Sequence, residues 1–311
     1  MKITVDGLAL RTDLRAVHGV LRSAKGKRQT GLLMRADTEG DIAIRLLAYD
    51  NLGPVAVQSS LAAAVQEPGD VTLSQEALGK LILLLALGSG DEGYQVTLES
   101  EGEGQMVVRS GDLRATLYTC RDFTAERVAA LPDWEREGKS LRLPPGELSR
   151  VVAMVAHAVS KDASRPALHG VHLTTGDGLQ AMAANGYTLA LYKAQATDSA
   201  DGWGNAVVSA EVLRRLCPLF AGQEVAVTNT AGGIRLRGDR WVAIARCNQN
   251  YPPMEKALAD CSREATLELR VSLSVLWRAL DFLSRWKPVQ EGMIVVKVAA
   301  GGITIAAETA Y

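Results

Sequence analysis

The sequence predicts an α+β fold assembled from tandem copies of one repeat, and three observations carry that expectation. The string serine, any residue, glutamate, apolar, leucine occurs twice, as Ser74-Gln75-Glu76-Ala77-Leu78 and Ser209-Ala210-Glu211-Val212-Leu213. The run Val107-Val108-Arg109-Ser110-Gly111-Asp112 leading to Cys120 is echoed by Ile234-Arg235-Leu236-Arg237-Gly238-Asp239 leading to Cys247. Around both pairs, short β-prone runs and helix-period stripes follow in one order over segments of similar length, which marks two copies of one unit.

The elements follow from local pattern. Residues 2–23 read as a short strand and then a helix from about Thr12, with Leu10, Leu14, Val17 and Leu21 on one stripe. Lys25-Gly26-Lys27-Arg28 is a basic loop, and Gly31 to Leu47 suggests a strand pair. Ser74 is a good N-cap for a helix from Gln75 to Leu87, preceded by the strand Val71-Thr72-Leu73. Tyr94 to Leu98, Met106 to Arg109 and Leu113 to Cys120 are strands. After a charged linker the pattern restarts with a strand at Leu141 to Leu143. A helix from about Glu147 to Val159 then carries Leu148, Val151, Val152, Val155 and Val159 on one face.

Arg165-Pro166 ends the helical run, because the residue before proline is driven out of helical geometry. Val171 to Thr174 and Leu179 to Ala183 form a hairpin across Thr175-Gly176-Asp177-Gly178, and Asn185-Gly186 supplies a further turn. A third copy opens after Tyr251-Pro252-Pro253. It has a strand at Leu267 to Val271, a helical stripe of Leu273, Leu276, Trp277, Leu280 and Leu283, and strands at Met293 to Val298 and Ile303 to Ala306. The expected divisions are residues 1–121, a linker 122–138, residues 139–250, and 251–311 as the first half of a third domain, with exposed apolar surface expected near Met293 to Ala306.

Composition narrows the function. The chain has 311 residues, 47% of them hydrophobic and 22% charged, an ordinary balance for a soluble globular protein with room for two or three domains. With a formal net charge of -1, a nucleic-acid-binding face has to come from segregating the 34 Lys and Arg onto one side. The longest apolar run, Leu81 to Leu87, is too short for a bilayer, and the amino terminus lacks the apolar core of a secretory signal. Cys120, Cys217, Cys247 and Cys261 form no C-x-x-C pair, which disfavours zinc or a disulfide framework and suits a reducing cytoplasm.

Enzyme motifs are missing or misplaced. Gly88-Ser89-Gly90-Asp91-Glu92-Gly93 spells G-x-G-x-x-G but follows a helix and precedes a strand, the reverse of the dinucleotide-binding context. His169 and His172 point to opposite faces of a strand and cannot share a metal, and His18 and His157 sit on helices among apolar residues. Asp50-Asn51 and Asp162 suit turns or caps. No catalytic residue, metal site or cofactor is expected.

With the repeats aligned, the chain resembles the bacterial DNA polymerase III beta subunits, the beta sliding clamps, over essentially its whole length. Arg165-Pro166-Ala167-Leu168-His169-Gly170-Val171 resembles the family's R-P-x-L-x-G-V, and Ala183-Ala184-Asn185-Gly186-Tyr187-Thr188-Leu189-Ala190 resembles its A-T-D-G-H-R-L-A. Val108-Arg109-Ser110-Gly111 and Tyr251-Pro252-Pro253, in the place of F-P-D, add two landmarks. The resemblance implies the DNA clamp fold, helices lining a central hole and sheets outside, with two chains closing head to tail around duplex DNA. It implies a non-catalytic processivity factor, cytoplasmic and held at the nucleoid through DNA, without a cofactor or membrane partner. The alternative is a clamp-fold paralogue or fragment that binds clamp partners without encircling DNA.

Sites carry over by position. The implied DNA-facing cations are Arg11, Arg15, Arg22, Lys25, Lys27 and Arg28 in the first copy, with Lys80 and Arg215 at equivalent places in the two S-x-E helices. Arg150, Lys161 and Arg214 join them from the second copy, and Arg278, Arg285 and Lys287 from the third. Non-specific phosphate attraction of this kind permits sliding. A cleft for short linear peptides of polymerase and clamp loader is implied at Arg165, Leu168, Gly186, Tyr187, Thr188, Leu189, Pro252 and Lys256. Thr188 stands where the family has arginine, and Ser209-Ala210 where it often has two basic residues. The homodimer interface is implied at Ala115 and Leu117 on the edge run Leu113 to Tyr118, against Phe282 and Leu283.

Overall fold

The structure, a computed structural model, describes residues 1–21, 30–38, 44–50, 55–87, 93–102, 104–120, 138–162, 164–176, 178–198, 202–230, 232–248, 251–254, 271–285, 293–299 and 302–308. It divides into two compact units, Met1–Pro252 and Pro253–Tyr311.

Unit 1 begins with β1 (Lys2–Asp6), whose Ile3 and Val5 are buried while Lys2, Thr4 and Asp6 are not, the period-two signature of a strand with one covered face. Helix α1 (Gly7–Leu21) starts well before the expected Thr12, because the Asp6 carboxylate accepts a 2.7 Å bond from the Ala9 amide and caps the first turn. Leu10, Leu14, Val17 and Leu21 form the buried stripe, each leucine contributing about 1.5–3 kcal/mol of transfer free energy. The chain continues through β2 (Thr30–Ala36), β3 (Ile44–Asp50), β4 (Val55–Leu61), β5 (Ala63–Glu67) and β6 (Gly69–Ser74) into α2 (Gln75–Leu87). Ser74 caps α2 as expected, its hydroxyl accepting from the Ala77 amide at 3.2 Å. β7 (Gln95–Ser100), β8 (Gln105–Ser110) and β9 (Leu113–Tyr118) end the first run.

The same order returns. β10 (Ser140–Leu143) leads to α3 (Glu147–Val155), shorter than its stripe suggests because residues 156–158 tighten into a 3₁₀ turn. Then come β11 (Gly170–Gly176), β12 (Gly178–Ala184), β13 (Leu189–Ala194), β14 (Asn205–Ser209), α4 (Ala210–Leu216), β15 (Val225–Thr230), β16 (Gly233–Arg237) and β17 (Trp241–Asn248). The repetition reaches single hydrogen bonds. In the first run the Cys120 amide donates to the Thr72 carbonyl at 2.9 Å; in the second, Val207 and Val208 pair with Asn248 and Cys247 at the matching corner.

The strands form a five-stranded sheet, β5-β1-β7-β8-β9, and a twelve-stranded sheet whose main path is β13-β12-β11-β14-β17-β4-β3-β2-β6, with β10, β15 and β16 branching at β17. The two runs are therefore joined edge to edge. Trp241–Ala245 of β17 pairs antiparallel with Val55–Ser59 of β4. Helices pack side by side in the sequence α2, α1, α4, α3.

Unit 2 contains α5 (Leu273–Ser284) packed on the hairpin of β18 (Met293–Ala299) and β19 (Gly302–Glu308), paired from Met293↔Glu308 to Ala299↔Gly302. Of its expected stripe, Leu276 and Leu283 are half-buried while Leu273 and Trp277 are exposed. The expected strand at Leu267 to Val271 and the linker 122–138 lie almost wholly outside the described residues. Among the described residues no helix is long and apolar enough to cross a membrane.

Candidate functional site

The row α2–α1–α4–α3 presents one solvent face, and this is the surface best suited to a large ligand. Each helix buries an apolar stripe against the sheets, so its remaining residues necessarily form an outer layer. Six arginines and lysines lie on these helices against four carboxylates, of which Asp13 and Glu147 are buried, so the exposed face is positive although the chain is slightly negative. Such local segregation is what a polyanion needs from a protein of neutral balance.

The cations are not equivalent. Arg15 and Lys161 are exposed and have no ion pair or hydrogen bond among the described residues. Arg11 is half-buried near Tyr94; burial pushes the Tyr94 phenol up, and the arginine's charge partly offsets this. Lys80 bonds Glu76 at 2.7 Å and holds that carboxyl below its usual range. Arg150 lies 3.6 Å from the buried Glu147 carboxylate, which also accepts from Tyr192 Oη at 3.0 Å and the Gln195 amide at 2.9 Å. Arg214 donates to the Ala156 carbonyl at 3.0 Å. Arg215, at the place of Lys80, is turned inward: Nη1 donates to the Val20 carbonyl at 3.0 Å and Nη2 lies 3.1 Å from Glu211. In unit 2, Arg278 donates to the Ser274 carbonyl at 3.2 Å and Arg285 pairs with Asp281 at 2.7 Å. Arg22, Lys25, Lys27, Arg28 and Lys287 lie outside the described residues.

Sequence reasoning missed the apolar part of this face. On α2, Leu83 and Leu87 are 67% and 75% exposed, on the same stripe as Glu76 and Lys80 at helical spacing. The signal was available, because α2 carries more leucines than one buried stripe can hold.

A second feature is the corner at the start of β11. Asp162 Oδ1 accepts from the Ser164 amide and hydroxyl at 2.9 and 2.7 Å, which holds its carboxyl below the usual range, with help from Arg165 and His169. Arg165 lies 3.5 Å from Asp162 and its Nη1 is 3.4 Å from the Asn185 carbonyl. Asn185 Oδ1 accepts from the amides of Tyr187 and Thr188 at 2.9 and 2.8 Å, and Gly186 adopts φ +94°, so the turn lifts Tyr187 to 93% exposure. Leu168 is buried beneath this surface, Thr188 is exposed and Leu189 half-buried. Tyr251 stacks on His172 with ring centroids 4.8 Å apart, fixing the segment that bears Pro252; burial pushes its phenol up. Lys256 lies outside the described residues.

The third feature is a pair of strand edges. β9 pairs only with β8 and β13 only with β12 among the described residues. On β9, Leu117 is buried in the core and Ala115 half-buried, whereas Tyr118 is 75% exposed. In unit 2, Phe282 is exposed and Leu283 half-buried. Among the described residues no three His, Cys, Asp or Glu side chains gather as a metal would require.

No protein-family model matches the chain. It is 27% identical over 300 residues to a beta sliding clamp of Synechocystis sp., spanning 86% of this chain and 73% of that protein. Its structure superposes on the DNA polymerase sliding clamp of Bacillus subtilis with a TM-score of 0.80 at 19% identity, covering 99% of this chain and 83% of that one. The DNA polymerase III subunit beta of Pseudomonas aeruginosa gives 0.77 at 20% identity, with 99% and 81% covered. The fold is that of a DNA clamp.

Proposed function

We infer that the chain belongs to the bacterial beta sliding clamps and serves as a DNA sliding clamp, a processivity factor of DNA polymerase III that performs no chemistry of its own. The observation that carries this reading is the way the two repeats join. The last strand of one repeat, β17, adds to the fourth strand of the other, β4, while the helices of both stay in one row. A contact between two different edges of a repeating unit is head-to-tail, and repetition of it produces a ring when the rotation closes. β9 and β13 occupy the places of β17 and β4, so unit 1 carries matching edges for further contacts of the same kind.

On this reading the helix row faces duplex DNA. Arg15 and Lys161 supply phosphate attraction that carries no sequence information, so moving along the duplex breaks no specific bond. β9 meets the third domain of a partner chain in a homodimer, and the corner formed by Arg165, Leu168, Tyr187 and Leu189 receives short linear peptides of polymerase and clamp loader. The site of action is the cytoplasm, at the nucleoid.

The test is topological. After loading, the protein should remain on nicked circular DNA and leave when the circle is cut once by a restriction enzyme, with light scattering giving the mass of a dimer. Equal retention on circles and linear molecules would overturn the reading.

A further inference from the structure

Two arginines of the second repeat are spent on the first, and neither interaction is readable as ligand binding. Asp13 is only 1% exposed on α1, and Ser59, on the paired strand β4, donates its hydroxyl to Asp13 Oδ2 at 2.5 Å. The second repeat completes the site. Arg240, in the turn between β16 and β17, forms an ion pair with Asp13 Oδ1. That turn is itself held, by the Gly238 amide on the Trp241 carbonyl at 2.9 Å and by the Asp239 amide on Gln223 Oε1 at 2.7 Å. A buried carboxylate with a single hydroxyl partner is unfavourable, so the guanidinium is what makes Asp13 tolerable there.

The second contact lies at the far end of α1. Val20 sits in its last turn, where backbone carbonyls have no partner within the helix and the helix dipole is negative. Arg215 donates to the Val20 carbonyl at 3.0 Å with its side chain 17% exposed, and Glu211 one turn earlier keeps it oriented. Arg215 thus caps a helix of the other repeat with a positive charge. The same two repeats are also joined by the five-residue ladder of β4 with β17. The first repeat offers two acceptors, the second two guanidiniums. At the corresponding places of the first repeat stand Leu113 and Lys80, the latter bonded to Glu76, so the arrangement belongs to this joint alone among the described residues.

We propose that Asp13, Arg240 and Arg215 form a latch that fixes the angle between the two repeats of unit 1, acting as positioning residues for the helix row and not as part of its ligand-binding surface. The latch is a property of the folded chain and stands independently of the clamp reading.

Hydrogen exchange on the full chain without DNA tests it, comparing the original protein with Arg240→Ala, Arg240→Lys and Arg215→Ala. With the latch lost in Arg240→Ala, amides of β4 and of residues 241–245 should exchange about 10–100-fold faster, while the β2–β3 ladder keeps its protection. Arg240→Lys should recover most of the difference, and Arg215→Ala should accelerate the same ladder to a smaller degree. Unchanged protection at the β4–β17 ladder would overturn the proposal. So would equal acceleration of both ladders, since Asp13 would then be a charge of the general core. If Arg240→Ala does not fold, Arg215→Ala and Arg240→Lys carry the same comparison. The circle-retention assay is separate, so failure of the clamp reading leaves this result intact.

Discussion

The division of cations into free and committed groups can be tested on Arg15 and Arg215. Both were candidates for phosphate contact, yet Arg15 is exposed without a partner among the described residues while Arg215 is held by Val20 and Glu211. Each phosphate neutralised contributes about 0.9 to the slope of log affinity against log salt concentration. Arg15→Gln should therefore flatten that slope by about 0.9, which between 50 and 200 mM salt changes the affinity loss by about 3.5-fold per contact. Arg215→Gln should leave the slope unchanged, because its guanidinium releases no counterion on binding. Fluorescence anisotropy with a labelled duplex, titrated at several salt concentrations, measures both. Equal flattening by the two substitutions would refute the reasoning, because it would put Arg215 on the phosphates and free of Val20.

The exposed leucines of α2 offer the converse experiment: Leu83→Lys with Leu87→Lys should steepen the same slope by up to about 1.8 with little change in melting temperature. No change in slope would mean that α2 does not face the duplex. Gly186→Ala should cost about 1–2 kcal/mol in urea unfolding, since φ is +94° and the new Cβ would run into the Arg165 guanidinium; a change under a few tenths would contradict this. Burial pushes the Cys217 thiol up to about 11. The unfolded chain then loses its proton near pH 9 while the native one keeps it, so this contribution to stability is complete below pH 9 and is lost between there and about pH 11, reaching about 2–3 kcal/mol. Cys217→Ser should flatten stability over that window, and alkylation of the native protein at pH 8 should spare Cys217.

Much of the fold was legible because burial periodicity is local. The S-x-E strings at Ser74 and Ser209 do mark helix starts, although only Ser74 makes a side-chain cap bond. α1 begins before the expected Thr12 because the Asp6 carboxylate caps its first turn. Strands β4, β5, β13 and β15 were not singled out, though Val55-Ala56-Val57-Gln58-Ser59-Ser60-Leu61 and Leu189-Ala190-Leu191-Tyr192-Lys193-Ala194 carry the alternation of strands.

The candidate site was legible only as a list of charges. Arg15, Lys80, Arg214 and Arg215 look alike in sequence, each a cation on a helix. Their fates diverge through contacts formed at long range: Arg215 meets Val20, 195 positions away, while Lys80 in the matching place turns to Glu76 one turn back. Sequence by itself determined the repeat, the amphipathic helices and the sheet strands, since each depends on residues within a few turns of one another. Which edges pair, which arginines are spent on the joint and which leucines stay bare were decided by tertiary structure, because a guanidinium binds whichever acceptor the fold brings within about 3 Å.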